Sequence, residues 1–160
     1  MSATGLPSRI RNENGKKAAP PNWCRWSAFY ARLMLGAAFL SGIADRFGFY
    51  RGRNVGYGDF GGFIRYTAKV NSFMPPSTLP FLAWAATIAE LFFGIALILG
   101  IWRVWVALGS AALLILFGTA MAISFGIKSP LDYSVFSASS AALLVAACEG
   151  GLKKRNKLSG

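Results

Sequence analysis

From Val104 to Ile127 the chain runs for 24 residues without one charged side chain, and this stretch limits the available folds more than any other feature. As a helix it is about 36 Å long at ~1.5 Å per residue, enough to cross the ~30 Å hydrocarbon core of a bilayer. It has no polar face for water to wet. Two further stretches behave alike: Ser27 to Ala44 carries a single charge, Arg32, and Leu79 to Trp102 a single charge, Glu90. A fourth, Tyr133 to Cys148, is sixteen uncharged residues long and contains four serines. At about 24 Å it spans only if Glu149 reaches outward to the headgroups and Ser137, Ser139 and Ser140 face neighbouring helices. Four apolar segments have no soluble partner to cover them. Charged residues make up 14% of the chain, against about a quarter in an ordinary soluble domain.

The expected fold is all-α: an up-down bundle of four transmembrane helices over about 27–46, 79–101, 104–127 and 132–149. A short amphipathic helix is expected in the first external loop, 47–78. Small residues at spacing four supply close contacts: Ala38 and Gly42; Gly118, Ala122 and Gly126; Ala138, Ala142 and Ala146. The first apolar run is too long for a signal peptide and leads into Asp45-Arg46 without a small-residue cleavage pattern, so this helix is expected to stay.

Lys and Arg set the orientation. Ten of them (Arg9, Arg11, Lys16, Lys17, Arg25, Arg103, Lys153, Lys154, Arg155, Lys157) fall on the side that holds both termini. Six (Arg46, Arg51, Arg53, Arg65, Lys69, Lys128) fall on the other. The positive-inside rule then puts both termini in the cytoplasm of a multi-pass membrane protein. The net charge of +11 does not indicate nucleic acid, because the cations flank apolar helices instead of forming one face. Anionic lipid headgroups are the expected partner of the basic segments. Residues 1–22 and 151–160 read as basic cytoplasmic tails, the first of them disordered for want of large apolar side chains.

The first external loop is rich in aromatic residues and glycine. Phe60, Phe63, Ile64 and Thr67 fall on one helical face, and Arg65, Lys69 and Ser72 on another; Met74-Pro75-Pro76 ends the segment. Such a helix either anchors at the headgroups or covers a site.

Ionisable groups inside the hydrocarbon are the first candidates for function, since each costs at least ~2.5–3.5 kcal/mol to insert. Counted from inner ends at Ser27 and Gly100, Arg32 lies about 7.5 Å deep and Glu90 about 15 Å. The gap of 7 to 8 Å lets the two side chains meet, so an Arg32–Glu90 pair is expected. It serves either structure or function. Asp45, Tyr66, Lys69, Asn71, Asp132 and Tyr133 are candidates for an external pocket, although Asp132 beside Pro130 also suits helix capping. The chain has no His, which excludes bis-histidine haem and the usual zinc sites within it. No metal site and no covalently bound cofactor is expected. Cys24 and Cys148 form no CxxC motif; both fall at the inner ends of their helices, in a reducing compartment.

The order of several short motifs resembles the DoxX family, which includes the DoxD-like proteins. These are Arg32-Leu33-Met34-Leu35-Gly36 with Gly42, Phe63-Ile64-Arg65-Tyr66, Glu90-Leu91-Phe92-Phe93-Gly94 with Leu99-Gly100, and Lys128-Ser129-Pro130-Leu131-Asp132-Tyr133-Ser134. The resemblance covers roughly Trp26 to Ala147. It implies a bacterial or archaeal four-helix membrane protein, of a family in which some members are the small membrane subunit of a thiosulfate-to-quinone oxidoreductase and others join oxidative-stress complexes. Arg32 and Glu90 match the family's intramembrane charges; no catalytic residue carries over. Three roles follow: a subunit of a quinone-linked oxidoreductase, with quinone as ligand and a partner subunit for the redox work; a non-catalytic membrane scaffold or assembly protein; and a transporter of a small solute or protons, which would need a homo-oligomer.

Overall fold

The structure, a computed structural model, describes residues 22–50 and 56–156, with side chains from Trp23 to Gly151. The tail expected over 1–22 (apart from Asn22), Arg51, Arg53 and the side chains of Lys153, Lys154 and Arg155 lie outside the described residues. Among the described residues every regular element is helical: α1 (Asn22–Arg46), α2 (Phe60–Val70), α3 (Leu79–Leu99), α4 (Arg103–Phe125), α5 (Lys128–Asp132) and α6 (Val135–Asn156).

The boundaries follow from local chemistry. α1 starts directly after Pro20-Pro21 in the sequence, which cannot sit inside a helix. α2 starts where the Asp59 side chain accepts the Gly62 N–H at 2.7 Å, a helix N-cap, and it occupies the place expected for the amphipathic segment. A single 3₁₀ turn, Pro76–Thr78, leads into α3. α3 ends at Gly100, whose φ of 71° is the left-handed conformation that glycine adopts without strain. The last long helix starts at Val135, three residues later than expected, because Tyr133 and Ser134 form a turn with Ser134 at φ 55°. Asp132 therefore does not cap α6; it closes α5, paired with Lys128 at i,i+4.

Three helices are long and apolar enough to cross a membrane; the apolar part of α6, Val135–Gly151, is shorter. α1 packs against α3 and α6, and α4 packs against the same two, so the four long helices close a ring. Neighbours in it run antiparallel, since the start of α1 meets the ends of α3 and α6. α1 and α3 approach each other closely. A Cβ on Gly36 would lie 2.9 Å from the Gly94 carbonyl oxygen and 2.6 Å from Ile98, and one on Gly94 would lie 3.1 Å from Leu40. Gly118 of α4 similarly makes room for the Phe136 ring of α6. Leu35, Phe39, Ala96, Leu97, Val106, Ala111 and Ala142 form the apolar core.

The expected small-residue contacts hold at Gly118, Ala142 and Ala146, whereas Ala38 is exposed and Gly126 ends α4 with open space around it. Ser139 is buried, but Ser137 and Ser140 are exposed. Ser139 and Ser140 both donate to the Phe136 carbonyl, at 2.8 and 2.9 Å, so α6 satisfies these two hydroxyls from its own backbone. Phe81, Ile88, Phe92, Leu116, Ile123 and Leu144 are at least half exposed; no water-soluble surface carries an apolar belt of this extent. Trp23, Trp26, Trp102 and Trp105 stand exposed at one end of the ring, where Trp favours the membrane–water boundary.

Gly36→Leu and Gly94→Leu each overpack the α1–α3 crossing and are expected to cost about 1–3 kcal/mol. The same addition at exposed Ala38 should leave thermal unfolding in detergent unchanged.

Candidate functional site: two buried ion-pair centres

The inner face of each helix is a stripe with spacings of three and four residues. On α1 it runs Arg32, Leu35, Phe39, Gly42, Arg46; on α3 Ala83, Thr87, Glu90, Gly94, Leu97; on α6 Ser139, Ala142, Ala146, Glu149. This periodicity puts both arginines and both glutamates on faces that meet other helices.

At the end covered by α2, Arg46 Nη2 donates to Glu90 Oε1 at 2.6 Å and Oε2 at 2.8 Å, and Nη1 donates to Thr87 Oγ1 at 2.9 Å. The Thr87 hydroxyl itself donates to the Ala83 carbonyl at 2.8 Å, which leaves its oxygen free to accept. Arg46 and Glu90 are each 4% exposed. Gly42 lies beside the carboxylate, where a Cβ would stand in ordinary contact, 3.6 Å from Glu90 Oε2. The Phe63 ring of α2 lies over the guanidinium with Cζ 3.7 Å from its centroid, a cation–π contact that covers the pair.

Asp45, also buried, accepts the Tyr57 backbone N–H at 2.8 Å through Oδ2. Gly56, at φ 80°, lies against this carboxylate so closely that a Cβ has no room. The Tyr57 ring contacts Phe63 and Tyr66, with centroids 5.0 and 5.1 Å apart. Burial pushes the Tyr57 phenol well above its ordinary range, with Tyr66 adding to the effect; burial, then Tyr133, raises Tyr66. Both phenols therefore stay protonated at neutral pH. Among the described residues, two buried polar atoms here have no hydrogen-bond partner, Asp45 Oδ1 and Arg46 Nε. Leaving such a group unpaired costs ~1–3 kcal/mol.

At the opposite end Arg32 Nη1 meets Glu149 Oε1 at 3.1 Å while Nε donates to the Leu97 carbonyl at 3.1 Å. Arg103, half exposed, reaches Glu149 Oε2 at 3.4 Å. Gly100 leaves room for the guanidinium, since a Cβ there would lie 2.7 Å from Arg32 Nη2.

The expected Arg32–Glu90 pair is therefore replaced by two separate pairs, Arg46–Glu90 and Arg32–Glu149. The reason is register. α1 begins at Asn22, five residues before Ser27, and the inner end of α3 at Gly100 lies beside Arg32 itself. Glu90 is level with Gly42, ten residues from Arg32, about 15 Å along the helix. That is twice the gap expected and beyond an arginine's reach. Glu149, expected to reach outward, is instead 8% exposed and turned into the bundle by Arg32.

Of the proposed pocket residues, Asp45 and Tyr66 belong to the α2 end. Tyr133 is exposed, yet near enough to perturb Tyr66. Lys69 faces away on the exposed side of α2, Asn71 donates to the Thr67 carbonyl at 3.0 Å to close that helix, and Asp132 holds Lys128. Thr87, Tyr57 and Arg103 are site residues that sequence reasoning did not single out, and it read Arg46 and Glu149 only as an outer helix end and as a group reaching the headgroups. The stripes named above carry the signal for Arg46, Thr87 and Glu149.

Apolar helices turned toward lipid, with deeply buried charges matched in pairs, define a multi-pass helical membrane protein. The DoxX family model matches residues 27–123, more than half of the 160 residues, and the chain belongs to the DoxX family. Searches among curated proteins and solved structures return no match. The matched segment includes Arg32, Arg46 and Glu90 and ends before Glu149.

Glu90→Gln and Glu149→Gln each strand a buried arginine and are expected to cost about 3–5 kcal/mol. Double-mutant cycles in detergent should show strong coupling for Arg46 with Glu90 and for Arg32 with Glu149. Arg32 with Glu90 should be additive within about 0.5 kcal/mol.

Proposed function

We propose that this chain crosses an inner membrane four times with both termini in the cytoplasm. It serves there as the small membrane subunit of a quinone-linked oxidoreductase of the thiosulfate-to-quinone type or of an oxidative-stress complex. Four crossings are supported by the antiparallel ring and by the burial of Glu149: its charge is met inside the bundle, so the short apolar part of α6 need not present it to lipid. The ten-to-six distribution of Lys and Arg supports the orientation.

The observation that carries the quinone reading is the unpaired acceptor Asp45 Oδ1 and unpaired donor Arg46 Nε, on consecutive buried residues beneath an aromatic cover. One free N–H and one free carboxylate oxygen suit a headgroup that presents a carbonyl in one oxidation state and a hydroxyl in the other. Protonated Tyr57 stands beside them as a further donor. The electron-carrying centre belongs to a partner subunit.

Transport is the weaker reading for a specific reason. Between the two charged centres the α1 stripe holds only Leu35, Phe39 and Gly42, packed against Ala96, Leu97, Ala111 and Ala142. Such an apolar plug offers no relay for protons or polar solutes.

Purified from quinone-replete membranes, the native protein should carry quinone detectable by mass spectrometry. Asp45→Asn and Tyr57→Phe should each lower the retained amount roughly 3- to 10-fold, the loss of one hydrogen bond, without changing the melting temperature by more than a few degrees. Native protein free of quinone sinks the proposal.

A further inference from the structure

At the end of the ring opposite α2, the end of α3 holds two arginines. The Leu97 carbonyl accepts from Arg32 Nε at 3.1 Å, and the Gly100 carbonyl accepts from Arg103 Nε at 3.4 Å. A helix C-terminus has carbonyls without helical partners and a partial negative charge, so it restrains guanidinium groups. The two arginines then share one carboxylate. Glu149 Oε1 takes Arg32 Nη1 at 3.1 Å, whereas Oε2 takes Arg103 Nη1 only at 3.4 Å, beyond the ordinary N–H···O range. Glu149 is therefore the counter-charge of buried Arg32. Arg103 keeps most of its charge unmatched: its side chain is more than half exposed, and its Nη2 has no hydrogen-bond partner among the described residues. The described charged side chains at this end are Arg25, Arg32, Arg103 and Glu149, three cations against one anion.

The surroundings of Arg103 are those of a lipid headgroup. Trp102 and Trp105, on either side of it in the sequence, and Trp23 and Trp26 of α1 are all exposed, which marks the membrane–water boundary. Next to this level, Leu99 of α3, Leu108 of α4 and Leu144 of α6 are exposed and face lipid tails. We propose that Arg103 is the headgroup site for a membrane lipid with one uncompensated negative charge, a phosphodiester of the phosphatidylglycerol class. Nη2 is free and Nη1 is loosely held, so this edge of the guanidinium is open to two phosphate oxygens, the paired geometry that Arg forms with phosphate. Glu149 beside Nη1 repels a second negative charge, which favours a phosphodiester over a dianionic phosphomonoester. A zwitterionic lipid brings an ammonium group into a region already rich in cations. Free phosphate matches the charge but not the apolar belt; an anionic lipid matches both.

This inference does not depend on the quinone reading, since Arg103 lies at the other end of the bundle from Asp45 and Arg46. The test titrates the full chain, delipidated in detergent, with short-chain phosphatidylglycerol or phosphatidylethanolamine and reads bound lipid by native mass spectrometry. The native protein should bind the anionic lipid roughly 5-fold more tightly than the zwitterionic one, the effect of about one cation at the membrane surface. Arg103→Gln should weaken the anionic lipid roughly 5- to 20-fold and leave the zwitterionic one unchanged. Arg103→Lys, with the charge but not the fork, should fall between the two. Arg65→Gln, exposed on α2 at the opposite end, should bind as the native protein does. Arg103→Gln keeps the Arg32–Glu149 pair, and a melting temperature within a few degrees of native reports an intact fold. Equal binding of the two lipids, native-like binding by Arg103→Gln, or displacement of the lipid by inorganic phosphate overturns the proposal.

Discussion

A charge taken into hydrocarbon has to find its counter-charge within the protein, and the contact between Arg46 and Glu90 is where this chain meets that requirement most completely. Both carboxylate oxygens and both terminal guanidinium nitrogens are engaged, with Thr87 as the third partner. Once Arg46 is tied to Glu90, the register of α1 against α3 follows: Gly42 beside the carboxylate, Gly36 against Gly94, and Arg32 at Gly100. Breaking either partner leaves a buried charge with nowhere to go, whereas replacing both by apolar groups of similar size is often tolerated. The pair is thus better evidence for a specified register than for gross stability.

The consequences extend into the loop. α2 lies across this end with Phe63 over the guanidinium, and Asp45 holds Tyr57 and Gly56 against the last turn of α1. Further along, Ser124 of α4 donates to the Val70 carbonyl at 2.6 Å, tying the end of α2 to the ring. An amphipathic helix that only anchored at headgroups would not need these ties. The cover is aromatic, the floor is charged and matched, and two polar atoms between them have no partner among the described residues.

The two charged centres are 14 residues apart on α1, about 21 Å at the helical rise, and an apolar core separates them. They therefore act as separate devices. One sits under α2 with unpaired polar atoms; the other joins α1, α3, α4 and α6 near their tail ends.

Much was legible from the residues alone. Uninterrupted apolar runs forced membrane helices, because unpaired backbone groups and charges are costly in lipid. The Pro75-Pro76 step and Gly100 mark helix ends through their local chemistry, and the order of short motifs pointed to the DoxX family. Which arginine meets which glutamate was not legible. Depths counted along single helices assume that their inner ends are level, and here α1 overshoots α3 by more than a turn. A one-turn slip moves a side chain about 5.4 Å, enough to exchange partners. Sequence determined that charges would be buried and need matching; only the tertiary register of α1 on α3, which puts Gly36 against Gly94 and Glu90 within reach of Arg46, decided the match.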